Sequence, residues 1–160
     1  MRDTHRAAIL AQLDLLLQEE LSGVVRYLHY SFMIFGPNRI PIGKWFRDQA
    51  QEGMAHAVLL GEKITALGGH PTVAVRAVPE SHDHQVTAFL QESLTFEREA
   101  LADYVQLLHL CGDDIALEEL ARQQIRKETE HIEEVEKMLR GPGQVEAHAE
   151  RRASGRGAQA

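Results

Sequence analysis

From Leu117 to Met138 the inward-facing positions of this chain recur at steps of 4, 3, 4, 3, 4 and 3, through Ala121, Gln124, Glu128, His131 and Val135. That spacing is the stripe a helix turns toward a shared core, so it demands partner helices. Two of its members are not apolar. Glu128 and His131 stand three residues apart, side by side on one helical face. An ionised carboxylate buried without a partner is costly enough that it neutralises or finds a cation, and a metal ion is the leading candidate for that cation.

Three more stripes precede this one. The first helix is expected from a cap at Asp3 or Thr4 to about Phe35, before Gly36-Pro37-Asn38, with Ile9, Leu13, Leu16, Glu20, Val24, Tyr27 and Ser31 on one face. Glu20 interrupts that stripe and is placed inward, whereas its neighbour Glu19 is assigned to solvent. The second helix is expected from about Gly43 to Leu67, stopped by Gly68-Gly69 with Pro71 beyond. Its stripe carries Phe46, Gln49, Gly53, His56, Leu60 and Ile64, and the acid Glu52 lies one residue off it. The third helix is expected from about Asp83 to Cys111, with Glu97 the lone acid among Val86, Leu90, Leu94, Leu101, Tyr104 and Leu108. Glu92, Glu99 and Asp103 fall off that face and are read as solvated. Asp113 or Asp114 caps the fourth helix, which ends at Gly141-Pro142-Gly143.

The segment between helices two and three, Gly68 to Ser81, has no helical period. Its 14 residues reach at most about 46–50 Å, and a helix of ~27 residues is about 40 Å long. The segment is therefore long enough to cross the bundle and leave helices two and three parallel. The expectation is an all-α four-helix bundle with a long crossover between helices two and three, spanning residues 1–140. Residues 141–160 are expected to be a flexible polar tail.

Composition narrows the function. Net charge is −7, and the 17 basic residues are dispersed among 24 acids, which excludes the basic face of a nucleic-acid binder. No run of ~18 apolar residues marks a membrane span, and the N-terminus lacks a secretory pattern, so a cytoplasmic protein is expected. A single cysteine, Cys111, excludes an intrachain disulfide framework and any Cys-x-x-Cys metal or redox motif. It sits on an apolar stripe and is read as core.

Taken together, each helix brings an acid, a histidine or both inward: Glu20, His56 with Glu52 nearby, Glu97, and Glu128 with His131. That is the pattern of di-iron carboxylate bundles, and a set of O and N donors suits iron or manganese, with zinc able to compete. The segments EELSGVVRYLHY, EGMAHA, TFEREALADY and ETEHIEEVEKML resemble bacterioferritin and related ferritin-like proteins, over about residues 5–140.

The resemblance implies one iron on Glu20 and His56, a second on Glu97 and His131, Glu128 bridging them, and a second bridge from helix two. Bacterioferritins carry Glu-x-x-His there, but this chain has Gly53 at the acid position. Glu52 is expected to take the role, helped by a one-residue π-bulge at Gly53; otherwise the site is one ligand short. Met54 occupies the place of the methionine that binds haem b across the family's dimer, although methionine in a helix also serves as packing. Tyr27, seven residues after Glu20, is placed either to hydrogen-bond a ligand carboxylate or to pack in the core. The implied activity is oxidation of Fe(II) by O2 or H2O2, for iron storage or detoxification. A non-storage di-iron oxidase or peroxidase, and a non-catalytic bundle that binds metal or haem, stay open as alternatives. The resemblance further implies a homo-oligomer built from dimers. Where the family has a fifth short helix this chain has Gly-Pro-Gly and a polar tail, so the size of any shell is left open.

Overall fold

The structure, a computed structural model, describes residues 3–144. Four helices run in order: α1 (Asp3–Met33), α2 (Arg39–Ala66), α3 (Val86–Leu110) and α4 (Ile115–Leu139). No strand occurs among the described residues. The fold is an all-α four-helix bundle, as the stripes require. Of the tail expected over 141–160, residues 145–160 lie outside the described residues.

The helix ends depart from the sequence reading in ways that local chemistry explains. α2 begins at Arg39 rather than Gly43. Pro41 suggested a loop, but it falls in the first turn of the helix, where a missing N–H forfeits no intrahelical bond. α3 begins at Val86 rather than Asp83, because Gln85 is extended, with φ −71° and ψ 140°. At the far end of α2, Gly68 adopts φ 74°, and its N–H bonds the Thr65 carbonyl while that of Gly69 bonds the Ile64 carbonyl. This paired closure needs a left-handed residue and accounts for the glycine. Asp114 caps α4, accepting from the Leu117 N–H at 2.9 Å.

Cross-links along α1 fix the direction of every other element. Arg6, near the start of α1, donates to the carbonyls of Leu67 and Gly68 at the end of α2, so α1 and α2 are antiparallel. The crossover then follows α1 toward its C-terminus: Thr72 bonds Asp14, Arg76 pairs with Glu19, and Glu80 meets His29. α3 returns from Glu92 beside Tyr30 to Asp103 beside Gln12. α2 and α3 are therefore parallel, the consequence expected of so long a connection.

The core is divided in two. At one end Ile9, Leu13, Leu16, Leu60, Ile64, Leu107 and Leu117 pack with Cys111, which is buried as expected. At the other, Tyr27, Tyr30, Phe46, Phe89 and Phe96 form an aromatic cluster closed by Ile34, Leu90 and Val135. Between them lies a layer of buried Glu20, His56, Glu97 and Glu128. Apolar burial on both sides holds these polar side chains in a buried middle, where unpaired charge is expensive.

Candidate metal centre

Glu128, on α4, is the hub of that layer. Two clusters of potential ligands, Glu20–His56–Glu128 and Glu97–Glu128–His131, each place their donor atoms within 4.8 Å of one another, and Glu128 belongs to both. His56 Nδ1 lies 3.3 Å from Glu20 Oε1 and 3.8 Å from Glu128 Oε1. His131 Nδ1 lies 3.8 Å from Glu97 Oε2. Five of the six residues singled out in the sequence thus converge from four helices.

The sixth, Glu52, is placed differently. α2 is a regular α-helix through Gly53, with no π-bulge, and at the four-residue spacing Glu52 still reaches the centre. It approaches the opposite edges of the imidazoles: its Oε2 is 2.9 Å from His131 Nε2 and its Oε1 3.9 Å from His56 Nε2. Lys127 Nζ stands 3.6 Å from the same carboxylate. The three inner acids face the Nδ1 side, and Glu52 holds the Nε2 side. A Cβ built on Gly53 would meet only ordinary contacts, 3.5–3.6 Å from the Glu20 backbone and carboxylate and from Val24.

Two tyrosines secure the acids crosswise. Tyr27 donates to Glu97, and Tyr104 donates to Glu20 Oε1 at 2.5 Å. Each tyrosine follows, by seven residues, the acid that the other one holds. Burial first, and then the charge of the bonded acid, pushes both phenols well above their usual pKa, so each stays a donor. The role of Tyr104 escaped the sequence reading. Its signal was the repeated seven-residue spacing, Glu20 to Tyr27 and Glu97 to Tyr104.

The carboxyls cannot all ionise at such proximity. Burial, followed by the hydrogen bond and charge of Glu97 and the charges of Glu20 and Glu52, raises Glu128 well above the ordinary carboxylate range. Burial alone would raise Glu97 too, but hydrogen bonds from Glu128 and His131, the His131 charge and the Tyr27 hydroxyl outweigh it and hold Glu97 low. Burial opposes the charge on His131, yet Glu97 and Glu52 lift its pKa to about 9. Glu52 is held below its usual value: burial is overcome by the charge and hydrogen bond of His131, then by His56 and Lys127. Protons on Glu128 and His131 thus offset the negative charge of the layer, and these donors must shed them to hold a cation.

Two assignments to solvent are overturned. Glu19 is only 2% exposed; the crossover covers the outer side of α1 and brings Arg76 onto it. Burial, then the neighbouring Asp103, lifts the Glu19 pKa to about 8 against the pull of Arg76. Glu92 is half-buried and accepts from Tyr30 and Ser81. A single helix's periodicity cannot register cover supplied by a distant loop. Met54, by contrast, is 54% exposed on the outer face of α2, away from the acids.

The cavity at the centre offers about 20 Å³, lined by Glu19, Glu20, His56, Glu97, Glu128 and His131 together with Tyr27, Gly53 and Phe96. That is room for little more than one water-sized species.

A bundle with this crossover, in which four helices bring carboxylates and histidines to one buried layer, falls among the carboxylate-bearing helix bundles. The chain belongs to the ferritin family: the profile of the ferritin-like domain matches residues 10–142. Its fold is similar to that of a ferritin-like di-iron-carboxylate protein from Bacillus anthracis strain Ames, at 25% identity and a TM-score of 0.81, covering 88% of this chain and 100% of that one. It is also similar to the bacterioferritin-related dodecameric thioferritin of Bacteroides fragilis, at 21% identity and a TM-score of 0.76, covering 84% and 85%. A third likeness is to Rhodobacter capsulatus bacterioferritin, a haem-iron protein with a metal-free dinuclear site, at 21% identity and a TM-score of 0.74, covering 83% and 84%. No curated protein matches the chain significantly. Among the described residues no helix is long and apolar enough to cross a membrane.

Proposed function

We propose that the protein is a ferroxidase that oxidises Fe(II) with O2 or H2O2 in the cytoplasm. The observation that carries this reading is the sharing of Glu128 between two clusters of acid and imidazole donors. Glu20 and His56 serve one iron, Glu97 and His131 the other, and Glu128 both. Two irons held side by side supply the two electrons that reduce O2 to H2O2 with uptake of two protons, or H2O2 to water. The anionic donors favour the harder Fe(III) product. Tyr27 and Tyr104 keep Glu97 and Glu20 aimed inward, and the flanking apolar clusters exclude bulk water. The small cavity favours iron over an organic molecule as the species oxidised. The test is anaerobic titration of metal-free protein with Fe(II), followed by air. Saturation near two irons per chain with a fast oxidation phase is expected, and oxidation no faster than in buffer would overturn the reading. Uptake far beyond two would establish storage.

Glu52 acts in this reading through the imidazoles rather than as the second bridge, because it meets both rings at Nε2. Carboxylates in that position orient histidine ligands, and losing one typically weakens metal affinity about 10–100-fold. Glu52→Gln is therefore expected to weaken Zn(II) binding by about that factor at unchanged stoichiometry. A drop in the number of ions bound would mean that Glu52 is itself a ligand.

Gly53 favours a second reading. With no carboxylate at that position the centre has one bridging acid rather than two, which also fits a bundle that binds metal without oxidising it. Bound metal without oxidation in the same titration would select that binding role.

Self-association fits the outer face of the α1–α2 pair, where Val25, Leu28, Phe32, Met54 and Val58 are exposed. A haem on Met54 would sit at that face. Reconstitution with hemin, read by the Soret band and lost in Met54→Ala, tests this directly.

A further inference from the structure

Where the crossover ends, against the C-terminal half of α1, a second group of potential ligands stands apart from the centre. A small cavity there, of about 10 Å³, is lined by three of the chain's nine histidines, His29, His82 and His84, and by Glu80, Asp83 and Glu92. It has room for about one water-sized species. Two of the three acids are already engaged: Glu92 accepts from the Tyr30 and Ser81 hydroxyls, and Asp83 from the Gln85 N–H. Glu80 is placed differently. Its Oε1 faces His29 Nε2 at 3.5 Å and its Oε2 faces His82 Nε2 at 3.7 Å, separations at or beyond the limit of a hydrogen bond. In a tetrahedral zinc site with bonds of ~2.0–2.2 Å, neighbouring donors stand about 3.4 Å apart. The gaps around Glu80 are therefore close to those between ligands of one ion.

We propose that His29, Glu80 and His82 bind a borderline divalent cation of the Zn(II) class, and that the ion ties the crossover to α1. Two imidazoles with one carboxylate suit Zn(II), Cu(II) or Ni(II) better than the hard Mg(II) or Ca(II). The three donors come from elements far apart in the sequence, His29 from α1 and the other two from the irregular chain before α3. An ion shared among them therefore closes a contact that no helix supplies. His29 is carried by a regular helix, whereas the Glu80 and His82 side chains are 53% and 75% exposed on irregular chain, so it is they that close the remaining distance. The group is less tightly gathered than the two clusters of the centre, and it fills only after them. His84, its ring 6.5 Å from that of His82, stands nearest to add a fourth donor. No residue is shared with the centre, so the site does not depend on the ferroxidase reading. Its consequence reaches the bundle through Arg76, which the same crossover lays over Glu19. Fixing the end of the crossover holds that cover in place.

The experiment is equilibrium dialysis of the full-length protein against Zn(II), carried to concentrations above those that fill the centre, for the parent and for His29→Gln, Glu80→Gln and His82→Asn. Asparagine tolerates the left-handed backbone of His82, at φ 57°, and circular dichroism checks the fold of each variant. The parent is expected to bind about one more zinc per chain than any of the three, while the ions of the centre stay bound in all. Tryptic cleavage after Arg76 supplies the second readout, because the protease must free the chain on both sides of its bond. With zinc about tenfold above the dissociation constant of the site, cleavage of the parent should slow by about tenfold, and that of the variants should not. Equal zinc uptake by the parent and all three variants would overturn the site. Loss of the ion in the variants with the same zinc-dependent protection as the parent would overturn the tie to α1.

Discussion

Glu128→Ala is expected to reduce bound Fe(II) or Zn(II) from about two ions per chain to fewer than one at micromolar metal, and to abolish rapid iron oxidation. Glu128 is the residue common to both clusters, so its removal takes an anionic donor from each. Removing one member of a buried charged set typically costs about 3–5 kcal/mol, which borne by the bound ions is roughly 10²–10⁴-fold in affinity. His131→Ala should behave differently, because it dismantles the Glu97 cluster and leaves Glu20, His56 and Glu128 together; one ion should remain. The fold should survive in both, since the two apolar clusters on either side of the layer contain neither residue. Glu128→Gln, which keeps the packing volume, should leave the metal-free protein at least as stable as its parent, because it removes a group whose ionisation there is opposed by Glu97, Glu20 and Glu52. Equilibrium dialysis with Zn(II) and thermal melts of the metal-free proteins test all three statements. Two tightly bound ions in Glu128→Ala would refute the shared-ligand assignment.

The bundle and the inward acids were legible in the sequence because helical periodicity is a property of one chain segment at a time. Glu20, Glu97 and Glu128 each broke an apolar stripe, and the structure buries all three. The length of the Gly68–Ser81 segment was enough to foretell parallel α2 and α3. What stayed hidden depended on contacts between segments. Glu19 looked exposed because nothing in α1 announces that Arg76 will fold over it, and Glu92 because nothing in α3 announces the Tyr30 and Ser81 hydroxyls that bond it. The way Glu52 approaches the centre was out of reach at a finer level. Spacing shows that Glu52 and His56 share a face, but only the rotation of the imidazoles shows that the acid meets Nε2 while the other acids meet Nδ1. Tyr104 was visible as a core residue, yet its bond crosses to Glu20 on another helix, and no single stripe records that. The start of α2 was missed because proline is read as a breaker, although it is at home in a first turn.

The metal-free protein should be most stable near pH 5 and lose several kcal/mol by pH 9, whereas metal-loaded protein should lose less. The unfolded chain releases the Glu19 proton near pH 4.5, but the fold keeps it to about pH 8. Across that interval the native state binds more protons, so stability falls as pH rises. Glu128, raised in the same direction, adds to the fall. His131 does likewise between pH 6.5 and about 9, because its charge is held by Glu97 and Glu52. Glu97 and Glu52 act oppositely: their depressed values make stability fall as pH drops below about 4.5, so they shape only the acid limb. Each unit of displacement corresponds to about 1.4 kcal/mol, and relaxation of the buried layer reduces the total to the order of several. A bound divalent ion takes the place of the protons on Glu128 and His131, and its affinity rises as they leave, so Zn(II) should remove the centre's share of the decline and leave that of Glu19. Urea unfolding at pH 5, 7 and 9, with and without Zn(II), measures both. A metal-free profile that is flat or rising from pH 5 to pH 8 would mean that the acids are not forced together as the structure has them. A persistent decline in Glu19→Gln, reduced in size between pH 5 and pH 8, would show the share that belongs to the centre and the share that belongs to Glu19.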